Sequence, residues 1–324
     1  MKLPPPRFPD LEALTAGLNA VLADHGVAGE RVTIFERSAA IYATTYPSEI
    51  VTCRVGNRNE LRLYCKYMAG INDDSHGHRG GVPYEAEIYR RVLQPLSFSV
   101  PKFYGAYVDP ATADTWLVLE YMDQSLRVTK GPQPESILLS ARWIGGFHVA
   151  NETRIPTTTL SFLKRYDSDY YLGWVRRTSL FASSLQQCFP WLATLSARFQ
   201  ECIDILFSSP QTLIHGEFYP HNVLLGGGVV YPIDWESAAI GPGEIDLATL
   251  TEDWGPETVR QCELEYQRAR WGGPTSADFG RRLAAARLYV CFRWLGDQPE
   301  WTLGNGNRVY FERMRSLGEE LGLI

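Results

Sequence analysis

No stretch of the 324-residue sequence approaches the ~20 consecutive apolar residues that span a bilayer, which excludes a transmembrane helix. The opening MKLPPPRFPDLE lacks the apolar centre of a secretory signal. Cysteine is sparse: six residues, at 53, 65, 188, 202, 262 and 291, with no C-x-x-C pair. Reduced thiols in a cytoplasmic protein are therefore expected, and a disulfide framework is not. The glycine patterns of dinucleotide and P-loop sites, G-x-G-x-x-G and G-x-x-x-x-G-K-[ST], are missing. So are the G-x-S-x-G of serine hydrolases and the H-E-x-x-H of zincins. His215 and Glu217 form an H-x-E, but the P-C-x-x-C that accompanies it in zinc deaminases is absent. Positive charge is not in excess. Thirty-one basic against 37 acidic residues leave −6, which argues against nucleic-acid or anionic-membrane partners and suits a neutral or cationic small substrate.

What is present is the composition of an ordinary globular protein, 45% apolar and 21% charged. The length exceeds one usual domain, so two are expected. Asp10 caps a helix with Leu11, Leu14, Leu18 and Leu22 on one face, closed by Gly26. β-Branched and aromatic residues mark strands at 31–37, 48–55 and 60–67, with Gly56-Asn57 turning between the last two. A polar loop follows at 70–83, in which His76 and His78 are expected to face solvent. A helix then covers 84–94, and two more strands cover 102–108 and 115–121. Beyond Asp123, apolar residues recur with helical period over 135–150, 190–207, 256–271 and 278–295. The pattern predicts an α+β protein: an antiparallel sheet lobe with one main helix at 1–122, then a mainly helical lobe at 123–324.

The helical half is interrupted at 213–234, LIHGEFYPHNVLLGGGVVYPID. Short strands at 223–225 and 229–233 flank Gly226-Gly227-Gly228, so Asn222 enters a hairpin that Asp234 leaves. Two oxygen ligands at one open end suit Mg²⁺, which keeps waters and phosphates in its remaining positions. Glu217, just upstream of Asn222, is a carboxylate placed to orient or deprotonate a hydroxyl.

His215-Gly216-Glu217-Phe218-Tyr219-Pro220-His221-Asn222, followed by Ile233-Asp234-Trp235-Glu236, resembles the motifs of the aminoglycoside phosphotransferase and choline kinase group. The pattern of that group is H-G-D-x4-N, then I-D-W. Gly241-Pro242-Gly243-Glu244-Ile245-Asp246-Leu247-Ala248 continues the likeness, which spans roughly residues 31–295. The resemblance implies a bilobal protein-kinase-like fold with nucleotide in the cleft between lobes. It implies a small-molecule kinase that moves the γ-phosphate of ATP, or of GTP, to a hydroxyl with the help of Mg²⁺. In that reading Glu217 is the catalytic carboxylate, Asn222 and Asp234 hold the metal, and Asp246 braces the loop. Lys66, ending the third strand, contacts the nucleotide phosphates and pairs with a helix carboxylate. Glu85 fits that partner better than Glu87, because Ile88, Tyr89 and Val92 follow it at inward spacings. The backbone around Glu120 and Met122, in WLVLEYMD, bonds adenine.

One residue departs from the pattern: Glu217 stands where the group has Asp. A catalytically impaired pseudokinase, acting as a nucleotide-binding or regulatory module, is therefore the alternative. The loop at 38–47 holds no glycine; by the resemblance, small residues such as Ala43 and Thr44 are expected to let it cover the phosphates, as in some members of the group, with a plain hairpin loop as the other reading. Trp271, Tyr289, Trp294 and Trp301 are set against two uses, an acceptor pocket or core packing. Glu236, Glu244, Glu252 and Asp253 are candidates to meet a cationic amine. The expected acceptor is an aminoglycoside or another amino-bearing metabolite, used by a cytoplasmic monomer or homodimer.

Overall fold

The computed structural model describes residues 8–23, 31–41, 45–57, 60–68, 76–129, 135–155, 158–274 and 278–324. Ala43, Thr44 and Gly26 lie outside them. The chain divides into two compact units, residues 1–126 with 224–237, and residues 127–223 with 238–324. Among the described residues no helix is long and apolar enough to cross a membrane.

In the first unit, α1 (Leu11–Ala23) starts where the Asp10 side chain accepts the Ala13 N–H at 2.8 Å. Its buried Leu14, Leu18, Val21 and Leu22 cover an antiparallel sheet. The strands are β1 (Val32–Ala39), β2 (Ser48–Val55), β3 (Glu60–Tyr67), β4 (Phe103–Val108) and β5 (Thr115–Glu120). They are ordered β1-β2-β3-β5-β4. Val51, Cys53 and Val55 of β2 alternate inward with Leu63, Cys65 and Tyr67 of β3, and the two rows form the core under α1. Helix α2 (Gly81–Ile88) runs on into a π-helical turn at Tyr89–Leu93. The helix begins before the expected 84, and His78, expected in solvent, is fully buried beside its start. The hairpin of β9 (Val223–Gly226) and β10 (Val229–Pro232) groups with this unit from Leu224 onward.

The second unit is built on helices. They are α3 (Glu135–Glu152), α4 (Ser168–Phe181), α5 (Trp191–Ala197), α6 (Phe199–Phe207), α7 (Glu244–Thr251), α8 (Pro256–Trp271), α9 (Asp278–Asp297), α10 (Pro299–Leu303) and α11 (Arg308–Glu320). After the two-residue β6 (Leu126–Arg127), three short strands form a sheet in the order β7-β11-β8: β7 (Lys164–Arg165), β8 (Gln211–Ile214) and β11 (Ala239–Pro242). The helix expected over 190–207 is broken at Arg198, whose backbone leaves helical angles at φ −98°, ψ 7°. The break lets Leu192 and Leu195 bury on one piece and Phe199, Cys202, Ile203 and Leu206 on the other. Helix α9 is the centre, packing against α4, α7 and α11. Helices α3 and α8 approach so closely at Gly145 that a Cβ there would stand 2.7 Å from the Tyr266 carbonyl oxygen. All six cysteines are free thiols; five are buried and Cys188 is exposed.

Candidate active site

In the first unit Lys66 is the hub. The β2–β3 register sets it opposite Ser48 near the end of β3. Its ammonium lies 2.7 Å from Glu85 Oε2 and 2.6 Å from Asp234 Oδ1, and 3.8 Å from Glu236. Burial opposes the charge on Lys66, but Asp234, Glu85 and Glu236 outweigh it and raise its pKa well above the ordinary value. Glu85 is 1% exposed, and its other oxygen accepts the Trp235 N–H at 3.0 Å. One carboxylate thus ties the lysine to the backbone that follows Asp234. Glu87 points out and pairs with Arg90. Asp234 itself sits at φ +68°, a left-handed conformation that Asp tolerates better than most residues and that recurs at functional sites. Glu236, 1% exposed, faces Lys66 and Arg79, at 3.7 Å from the latter.

Glu120 and Met122 stand at the end of β5 and just beyond it. The Glu120 N–H is used in strand pairing, donating to the Lys102 carbonyl at 2.8 Å. The Met122 carbonyl accepts from the Ser125 hydroxyl at 2.7 Å. Among the described residues no acceptor faces the Met122 N–H.

In the second unit Glu217 and Asn222 share one loop after β8. Gly216 takes φ +83°, which turns the chain between His215 and Glu217. The buried Asp246 accepts the N–H groups of His215, at 2.7 Å, and Gly216, at 2.9 Å. It also meets His148 Nε2 at 3.1 Å, and Tyr266 bonds the other ring nitrogen at 3.0 Å. Burial holds His148 below its ordinary pKa, although Asp246 pulls the other way. Asn222 closes the loop by donating from Nδ2 to the Glu217 carbonyl at 3.0 Å. The other end of its amide, Oδ1, is a hard oxygen.

The Glu217 carboxylate meets a partner that local sequence spacing does not reveal. Arg293, on α9, donates from one Nη to Glu217 Oε1 at 3.0 Å and from the other to the Tyr219 hydroxyl at 2.5 Å. The only signal in the sequence was its position one helical turn after Tyr289, on the buried face of α9. Glu244 is fully buried, held by Arg282 and Ser209, and Glu252 and Asp253 pair with Arg313. The aromatic candidates also separate. Tyr289 joins Tyr166, Tyr170 and Tyr171 in the core, and Trp271 packs on Tyr266 and Phe279. Trp294 and Trp301 instead line a pocket of about 190 Å³ with Leu295, Asn307 and Tyr310.

An antiparallel sheet unit with a buried Lys–Glu pair, and a helical unit with a His-Gly-Glu…Asn loop braced by a buried Asp, together define a small-molecule kinase of protein-kinase-like architecture. The model of the APH phosphotransferase enzyme family matches residues 72–282, and the chain belongs to that family. No curated protein matches the sequence. Solved structures do. A choline/ethanolamine kinase family protein from Mesorhizobium loti is 16% identical with a TM-score of 0.58, over 96% of this chain and 97% of its own. The GDP complex of aminoglycoside 2'-phosphotransferase-IIIa is 12% identical with a TM-score of 0.61, over 94% and 99%. Spectinomycin phosphotransferase, in complex with ADP and spectinomycin, is 13% identical with a TM-score of 0.54, over 95% and 98%. At these identities the likeness is one of fold, and the activity is that of a small-molecule phosphotransferase.

Proposed function

We propose that the chain transfers the γ-phosphoryl group of ATP, or of GTP, to a hydroxyl of an amino-bearing small molecule in a Mg²⁺-dependent reaction. The observation that carries this reading is the buried Lys66, held between Glu85 and an Asp234 in the left-handed conformation. A lysine with three carboxylates in reach remains charged, and that charge suits nucleotide phosphates. Asp234, whose side chain is 35% exposed, and the amide oxygen of Asn222 are each hard oxygen ligands of the kind Mg²⁺ takes. A metal held by them would neutralise charge developing on the phosphate oxygens. Glu120 and Met122 offer backbone groups to the base. Glu217 orients the acceptor hydroxyl and takes its proton as the new O–P bond forms and the bond to the nucleoside diphosphate breaks. The products are a phosphate ester and ADP.

Trp294 and Trp301 line the pocket at the end of α9, where their rings pack on each other and the Arg293 guanidinium already lies against Trp294. The similar choline/ethanolamine kinase and aminoglycoside phosphotransferase are named for amino-bearing acceptors, and that supports an amine on the acceptor here. The test is ADP release with Mg²⁺ against aminoglycosides, amino alcohols, amino sugars and nucleosides, with Asp234→Ala as the blank. Release with one acceptor class, lost in the blank, supports the proposal. Thermal stabilisation by Mg·ATP with no release on any acceptor favours the pseudokinase. Absence of any nucleotide effect refutes both.

A further inference from the structure

We propose that Arg293 is a positioning residue that holds the Glu217 carboxylate at the distance and angle the acceptor hydroxyl requires. The inference rests on the catalytic reading of Glu217. A Glu side chain has one more rotatable bond than the Asp of the related motifs. Without a clamp its carboxylate would sweep a wider arc and spend less time aligned. Arg293 supplies the clamp. It is 4% exposed on the central helix α9, and its planar fork grips two side chains of one loop, Glu217 and Tyr219. The ring centroids of Tyr219 and Trp294 lie 5.8 and 5.7 Å from its guanidinium carbon, within cation–π reach. A carboxylate has about four lone-pair sites, so an ion pair at Oε1 leaves acceptor capacity for a hydroxyl.

A second buried arginine supplies the contrast. Arg270, 3% exposed, is bonded at all three nitrogens, to Glu152, the Tyr266 hydroxyl and the Pro210 carbonyl. Arg293 leaves its buried Nε without a partner among the described residues. Folding alone favours the satisfied arrangement, and an orphaned buried donor calls for another explanation. The fork of Arg293 is committed instead to the two loop side chains. Phosphoryl transfer has a loose transition state in which positioning outweighs base strength. An ion-paired carboxylate, weakened as a base but fixed in place, suits that demand.

The test has two arms. In the first, Mg²⁺-dependent ADP release is measured on the acceptor that scores best in the panel. Arg293→Met and Arg293→Lys are each made alone and with Glu217→Gln. Arg293→Met is expected to lower kcat about 10²-fold, the scale for a misplacement near 1 Å, with KM for ATP within about twofold. Arg293→Lys, which keeps the charge but not the fork, should recover about tenfold of that loss. Added to Glu217→Gln, Arg293→Met should cost less than about twofold, because it acts through the carboxylate already removed. An equal loss in both backgrounds, or a change in KM alone, overturns the proposal. In the second arm the crystal structure of Arg293→Met, or of Arg293→Lys where the former does not fold, shows whether the Glu217 carboxylate has left its place. An unmoved carboxylate overturns the proposal whether or not the parent turns over. A parent silent on every acceptor sinks the catalytic reading instead, so the two failures stay distinct.

Discussion

The ammonium of Lys66 lies 2.6 Å from the Asp234 carboxylate, and Glu85 grips the same buried ammonium at 2.7 Å. The lysine therefore occupies the carboxylate that the proposed function gives to the metal. Mg²⁺ and phosphates bound as proposed would have to share or release that contact. In the reading advanced here, the phosphate oxygens replace Asp234 as acceptors for Lys66.

Such an exchange would make nucleotide binding depend on the metal. Mg·ATP should stabilise the protein by about 2.7 kcal/mol at a hundred times its Kd, and ATP with EDTA by distinctly less. Asp234→Ala should abolish the difference between the two. Thermal unfolding with each ligand reads it directly, and equal stabilisation with and without metal removes Asp234 from the metal site.

The two glutamates of α2 should behave in opposite ways. Glu85 is nearly inaccessible and serves both the lysine and the Trp235 N–H. Glu85→Gln should cost about 3 kcal/mol, the low end for removing one partner of a buried ion pair. Glu87, paired with Arg90 at the surface, should tolerate Glu87→Gln within about 0.5 kcal/mol. Urea unfolding of both variants decides the assignment, and similar values for the two would overturn it.

How far the sequence foretold this arrangement depends on the range of each interaction. The strands of the first unit were legible because they are rich in β-branched and aromatic residues, although burial does not alternate cleanly along β2 or β3. Lys66, Glu85, Glu217, Asn222 and Asp234 were named from the family resemblance and from short spacings; the structure joins Lys66 to Glu85 and Asp234, and Asn222 to the Glu217 carbonyl. Helix α7 was not found: all eight of its residues, Glu244–Thr251, are buried, so no polar face marks a period. The break at Arg198 follows from tertiary packing, which local propensity does not encode. Arg293 was missed because it reaches Glu217 across 76 residues, and Arg in a helix ordinarily reads as solvent-facing.

The burial of His148 predicts a loss of stability in mild acid. Burial, first among its influences, holds its folded pKa below the ordinary 6.5, ahead of Asp246, Arg270 and Glu244. As pH falls below 6.5 the unfolded chain takes up the proton first, so stability present above 6.5 is lost toward the folded pKa. The slope from this residue is at most about 1.4 kcal/mol per pH unit. Denaturation midpoints measured between pH 7 and pH 5 should fall for the parent and flatten in His148→Gln. An unchanged slope in the variant would assign the effect to other groups.

Glu217 itself allows two substitutions that separate charge from reach. Glu217→Gln keeps the shape and removes the charge; it should retain Mg·ATP affinity and lose at least ~10²-fold in turnover. Glu217→Asp keeps the charge, restores the residue of the related motif, and withdraws the carboxylate by about 1.5 Å. The 3.0 Å bond to Arg293 cannot survive that retreat while the loop stays pinned by Asp246 and Asn222. The carboxylate then loses its clamp, and turnover should fall about 10²-fold although the motif now reads H-G-D. Steady-state ADP release compares the three proteins. Parent-level turnover in Glu217→Asp would mean that the longer side chain and its arginine are interchangeable with the shorter acid, and that this site was not rebuilt around the extra methylene.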